Sequence, residues 1–290
     1  MELHTLGVEG GYTQKDVIEV ARCLTGWTID RPQKGGGFIF RPQMHDFGEK
    51  VVLGKKIRAG QGMEDGLQVM HILAHSPSTA HFIALKLCRR FVSDDPPPTI
   101  ISRASRTFLK TDGDIRQVLK TILTSPEFYS QAAYRSKVKS PLELVVSSVR
   151  GLGGQTDASV PLVQMIARMG QPMFQYQAPT GFPDRASTWI NSGSLLTRIN
   201  FATQFAANRI QGTQVDLNGL THELGGSSQN ELVEGLSVRL VGGELAPQTR
   251  DVILTSLSQP AGPTVAYAQP ASEVSVAAGL LLASPEFQRR

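Results

Sequence analysis

The sequence predicts a mainly α protein, a multi-helix bundle with one small β-hairpin or ribbon near residues 38–57. Apolar residues recur at helical spacing along most of the chain, and many of these runs open on a Ser or Thr cap. One stretch alone changes period to short β-rich runs. Two parts are expected, residues 1–135 with the ribbon and residues 136–290, packed as one globular unit.

The first helix is the clearest. In "GGYTQKDVIEVARCLTGW", Thr13 is an N-cap with Asp16 at N3, and Val17, Val20, Ala21 and Leu24 follow at i, i+3, i+4, i+7. Gly26 supplies a stop, and Trp27 is expected to fold back onto the helix. "FIFRPQMHDFGEKVVLGKKI" then reads as the ribbon, from Phe38–Phe40 and Val51–Leu53. Helices return at 63–75 and 77–92, split where Ser76 caps and Pro77 occupies N1. After the stiff "SDDPPPT" connector come helices at 99–110 and 113–124. "SPLELVVSSVRGLG" and "VPLVQMIARMGQP" each start another, and the Pro/Gly loop "QAPTGFPDRAST" leads into a long helix at 188–209. The Gly-rich stretch 211–230 is expected to be mobile. Two or three helices close the chain, the first with Ser228 and Glu231 as a capping box.

One hexapeptide is written nearly twice, "LTSPEF" at 123–128 and "LASPEF" at 282–287. Each follows an apolar helix. Ser is placed to cap a new turn, Pro fits N1, Glu suits the positive helix end and Phe packs beneath the corner. The pair reads as a helix-corner-helix joint used twice, structural and not catalytic.

Bulk properties exclude several classes. The formal charge of +4 in 290 residues, with no block of five like charges, is no nucleic-acid footprint. No apolar run reaches the length of a membrane span. Cys23 and Cys88 lie in apolar helical patterns, so two buried thiols are expected and no disulfide framework. No Gly-x-Ser-x-Gly elbow and no phosphate loop occurs; "RPQKGGGF" lacks the Gly-Lys-Ser/Thr of one.

Several ordered stretches together resemble one bacterial family, domain of unknown function 1800. They are "ELHTLGVEGGYTQKDVIEVARCLTGW", "HDFGEKVVLG", "SPSTAHFIALKLCRRFV", "KSPLELVVSSVRGLG", "MGQPMFQYQAPTGFPD…TWINSGSLLTRINF" and "LLLASPEFQRR". The resemblance implies an exported, mainly helical protein, extracytoplasmic in its full-length form and often encoded beside a second exported family. Members are usually longer, so the chain resembles their C-terminal two-thirds. No reaction comes with the resemblance.

Chemistry-bearing residues crowd the N-terminal third. His4, His45 and His75 lie in family-like motifs, with Asp46 directly after His45, and His71 and His75 are spaced i, i+4. Three imidazoles and a carboxylate would suit a divalent metal such as zinc, although no His-Glu-x-x-His or Cys pair supports it and each histidine reads more simply as a hydrogen-bonded core or surface residue. Asp16 and Glu19 are i, i+3 neighbours that paired-carboxylate hydrolysis would need across a cleft. The structural alternative is a cap at Asp16 and a Glu19–Arg22 surface pair. On the loop 170–189, Phe174, Tyr176, Phe182 and Trp189 form either a platform for sugar rings or a partner's prolines, or a packed strap with the rings turned inward.

Two functions are therefore expected. The first, and favoured, is a hydrolase of an extracellular polymer, glycoside or ester. There His4, His45 and His75 hold the metal, Asp46 joins or orients them, and Asp16 or Glu19 is the general base. The alternative is a non-catalytic helical scaffold that binds another exported protein or a glycan through the loop.

Overall fold

Helix starts follow the side chains that precede them. In the computed structural model, which describes residues 1–224, 228–243, 245–259 and 272–290, the Thr13 hydroxyl accepts the Asp16 N–H while the Asp16 carboxylate accepts the Thr13 N–H. This capping box opens α1, Gln14–Cys23. Elsewhere the cap side chains of Ser76, Asp114, Ser140, Asn191, Ser228 and Ser272 each accept an orphan N–H of the first turn. The protein is mainly helical with small antiparallel two-stranded sheets, as the periodicity predicts. The chain divides into two compact units, Met1–Ser130 and Gln131–Arg290.

In the first unit, α1 is followed by two hairpins. β1, Trp27–Ile29, pairs with β2, Phe38–Phe40, and β3, Lys50–Val52, pairs with β4, Lys55–Ile57. Trp27 faces Phe40 across the first hairpin, so the ribbon begins ten residues or so before its predicted start. The Trp27 ring lies against Gly66, where an added Cβ would come within 2.4 Å of it. Helices α2, Met63–Ala74, α3, Pro77–Phe91, α4, Pro98–Lys110, and α5, Ile115–Leu123, complete the unit. Cys23, Val52, Ile57 and Val69 form one core cluster, and Ala84, Cys88, Ile100, Ala104, Val118 and Ile122 are also buried.

The second unit contains α6, Pro141–Gly151, β5, Gln155–Thr156, α7, Val160–Arg168, α8, Ala186–Trp189, α9, Ser192–Ala206, and β6, Thr213–Gln214. It closes with α10, Leu217–Leu224, α11, Gln229–Val241, α12, Pro247–Ser258, α13, Glu273–Ala283, and α14, Pro285–Gln288. The predicted 188–209 helix starts later, because the Asn191 side chain caps a fresh turn there. The β5–β6 ribbon has only two residues a strand, too short to carry a period. The α9–α13 pair centres the core. Gly279 lets α13 approach α9 at Ala202, Thr203 and Ala206, while Phe201 and Phe205 are buried in the same cluster as Ala277 and Ala278, and each buried large side chain contributes about 1.5–3 kcal/mol. Of the stretch expected to be mobile, residues 225–227 lie outside the described residues.

The doubled hexapeptide closes a helical hairpin in each unit. Ser125 Oγ accepts the Phe128 N–H at 3.2 Å, and Ser284 Oγ accepts the Phe287 N–H at 3.3 Å. The two glutamates do more than sit at a helix end. Glu127 reaches Thr99 in the first turn of α4 and pairs with Arg103; Glu286 accepts from Thr249 and from the Ala246 N–H at the start of α12. Each corner thus ties the end of one helix to the Pro-led beginning of the helix before it. Phe287 is buried and Phe128 half-buried. Among the described residues no helix is long and apolar enough to cross a membrane.

Candidate functional site

The acids of α1 are spent on the second hairpin. Asp16 Oδ1 accepts the Leu53 N–H at 2.7 Å and Glu19 Oε2 accepts the Val51 N–H at 2.9 Å. Carboxylates one helical turn apart thereby clip two amides of the adjoining hairpin. The clip holds a turn in which Leu53 and Gly54 both have positive φ, 51° and 74°. Such a primed turn favours Asn-Gly, and Leu enters it only under strain. Glu19 also pairs with Arg22 at 2.9 Å, whose guanidinium bridges to Asp46 at 2.8 Å.

These partners set the protonation states. The Thr13 hydroxyl and amide hold Asp16 below the usual carboxylate range. The Val51 amide, and then Arg22, do the same for Glu19. Arg22 and the Gly48 N–H lower Asp46 to about 2. Carboxylates lowered in this way stay ionised at neutral pH, so all three sit as anions already engaged by their donors.

His45 leads into the most buried polar group of this unit. Its Nδ1 lies 2.8 Å from the Thr25 carbonyl, which only accepts, so Nδ1 carries a proton. Nε2 is 3.1 Å from Asp65 Oδ2, and Lys50 Nζ meets the same oxygen at 2.5 Å while donating also to the Asp46 carbonyl. The three side chains are fully enclosed. Phe40 and Phe47 pack edge-to-face with the imidazole, ring centres 5.4 and 4.9 Å away. Asp65 Oδ1 and Trp27 Nε1 are buried without a hydrogen-bond partner.

His75 lies elsewhere. Its Nδ1 donates to the His71 carbonyl at 2.9 Å and its Nε2 to Asp112 Oδ1 at 2.5 Å. Both acceptors favour the imidazolium and raise its pKa. The ring is half-exposed, and the His71 ring stacks beside it with centres 3.9 Å apart. His4 is exposed in the opening turn Glu2–Leu6.

The structure therefore brings Glu19 and Asp46 together on Arg22 and sets Asp16 beside Glu19 on the same hairpin, but it gives His45 and His75 separate partners. Among the described residues no three His, Cys, Asp or Glu side chains are arranged to hold a metal ion. The expected His4–His45–His75 ligand set is thus not assembled there, because backbone carbonyls and Asp65 or Asp112 engage the two partnered imidazoles. Burial pushes the Cys23 and Cys88 thiols up to about 11, which leaves them inert.

The aromatic loop belongs to the second unit. Trp189 is buried, Phe182 half-buried, and ring centres run Tyr176–Phe182 at 4.3 Å and Phe182–Trp189 at 5.7 Å. Residues 174–181 are all exposed, and Phe174 is 100% so. Phe174 also has φ 60°, a left-handed conformation that is an outlier for a bulky residue. The loop is divided: Phe182 and Trp189 pack as a strap, while residues 174–181 face water.

Compared with known protein families, the chain matches the one described as protein of unknown function, DUF1800, over residues 1–289. The chain belongs to this family. No curated protein and no solved structure matches it. Within this DUF1800 chain, sequence reasoning missed Lys50, Asp65 and Asp112. Asp65 reads as an ordinary first-turn acid and Lys50 as a strand-edge charge, and neither position carries a signal of burial.

Proposed function

We propose that this DUF1800 chain is a non-catalytic binding protein that engages neutral glycan chains through the loop 174–181, outside the cytoplasm as its family resemblance implies. The supporting observation is Phe174, a fully exposed ring on strained left-handed backbone. Exposed aromatic and amide side chains alternate in Phe174-Gln175-Tyr176-Gln177, and residues 170–183 carry no charge. Ring faces suit the C–H faces of pyranoses and amides suit their hydroxyls; an uncharged surface suits an uncharged polymer. Pro172, Pro179 and Pro183 stiffen the loop and lower the entropy lost on binding. Electrophoresis through gels containing soluble neutral polysaccharides tests this. Retardation of the native protein, abolished in Phe174→Ala and Tyr176→Ala, is the expected result; unretarded native protein in every polysaccharide rejects it.

The hydrolase reading retains one observation, the half-exposed His75–Asp112 pair, an imidazolium placed to give up a proton. Turnover of chromogenic esters or glycosides that vanishes in His75→Ala would favour it over simple binding.

A further inference from the structure

In the second unit, the segment 137–139 runs antiparallel to residues 288–290. Lys139 N–H donates to the Gln288 carbonyl at 2.9 Å, and Arg290 N–H to the Lys137 carbonyl at 2.9 Å. This pairing gathers cations from three parts of the chain. Arg135 and Lys137 flank it on one side and Arg290 closes the other. Arg198 of α9 lies fully buried beneath, donating to the Lys139 carbonyl at 2.8 Å and to Gln288 Oε1 at 2.7 Å. Arg198 Nε and Arg290 Nη2 are buried donors without an acceptor.

Lys139 is the unusual member. Its Nζ rests 3.6 Å from the centre of the Phe287 ring. Among the described residues that amine makes no hydrogen bond and no ion pair. Lys137, by contrast, is held by the Asp184 carbonyl at 3.0 Å and the Asp184 carboxylate at 3.1 Å. Glu143, whose charge acts on Lys139, is occupied: it accepts the Ser140 N–H at 2.8 Å and faces Arg290 Nε at 3.3 Å. Loss of water and, less strongly, the guanidiniums of Arg135 and Arg290 oppose an ammonium there, whereas the Glu143 carboxylate favours one. The balance pushes Lys139 down to about 8, burial being the largest cause. About a quarter of the amine is then neutral at pH 7.5, against well under ~1% for an ordinary lysine near ~10.4.

We propose that Lys139 is a covalent capture site for an anionic carbonyl compound, an aldehyde or ketone bearing a phosphate or carboxylate. Desolvation beside other cations is how an amine becomes a nucleophile at neutral pH. The Nζ lone pair attacks the carbonyl carbon, a C–N bond forms and the C=O pair moves to oxygen. The nitrogen gives up two protons, the oxygen leaves as water, and an imine remains. Uptake of one further proton makes it an iminium. Arg290 and Arg135, whose guanidinium also donates to the Val241 carbonyl, hold the anionic end.

The test uses the full chain with pyridoxal 5′-phosphate or glyoxylate at pH 7.5, borohydride to fix the imine, and peptide mapping. Lys139 is expected to be labelled at least about tenfold faster than the exposed Lys15, its larger neutral fraction being offset only in part by its weaker basicity. Inorganic phosphate should slow the phosphate aldehyde, and Arg135→Gln should slow both reagents. Lys139→Arg keeps the charge and abolishes the adduct at this position alone. Preference for one reagent identifies the anion. Labelling of Lys139 no faster than of Lys15 overturns the capture site, and equal rates with neutral propanal overturn its anionic selectivity.

Discussion

Asp65 shows how much depends on a single side chain. It is fully buried, and two potentially cationic groups, Lys50 and His45, converge on one of its oxygens. Removing one member of such a group leaves the others buried and unpaired, which typically costs about 3–5 kcal/mol. Asp65→Asn is expected to destabilise the first unit by that order in urea unfolding, far more than Asp30→Asn on the exposed β1–β2 loop. His75 behaves differently, being half-exposed. Its folded pKa is raised, so its contribution is complete below its ordinary value near 6.5 and is lost as pH climbs through the raised one. His75→Ala should therefore lower Tm at pH 5.5 and leave it nearly unchanged at pH 9. A loss of Tm that is the same at both pH values would show that the Asp112 contact is not electrostatic.

At the scale of elements, the two Ser-Pro-Glu-Phe corners make the same joint. Each glutamate crosses to the first turn of the preceding helix, α4 or α12, where amides and a Thr hydroxyl need an acceptor. Glu127→Ala and Glu286→Ala are each expected to cost about 1–2 kcal/mol. They share no partner, so the double variant should show the sum. Thermal unfolding of the single and double variants checks this. A strongly non-additive pair would mean that the joints communicate. The carboxylate clip from α1 to the β3–β4 hairpin is a second element-scale device. It gives Asp16 and Glu19 a structural task, holding the Val51 and Leu53 amides of the hairpin.

At the scale of the molecule, each unit carries its own core. The cluster around Phe201, Phe205, Leu236 and Leu281 is drawn wholly from residues after 130, and that around Cys23, Ile57 and Val69 wholly from residues before it. Residues 131–290 expressed alone are therefore expected to unfold cooperatively on heating. A broad, non-cooperative melt would reject autonomy.

Much of this was written locally. Thr13, Ser76, Ser140 and Ser228 announce their helices because a cap needs only the next few residues, and the apolar period of α4 or α5 needs only its own turn-by-turn repeat. The family, the helical class and the aromatic loop were legible on the same terms. What the tertiary structure alone decided is which partner each polar side chain meets. Asp16 and Leu53, Lys50 and Asp65, His75 and Asp112 are 15 to 37 positions apart, and no local pattern encodes those meetings. A carboxylate reads the same in sequence whether it activates water or holds a hairpin, since only its neighbours in space set its pKa and its access to solvent.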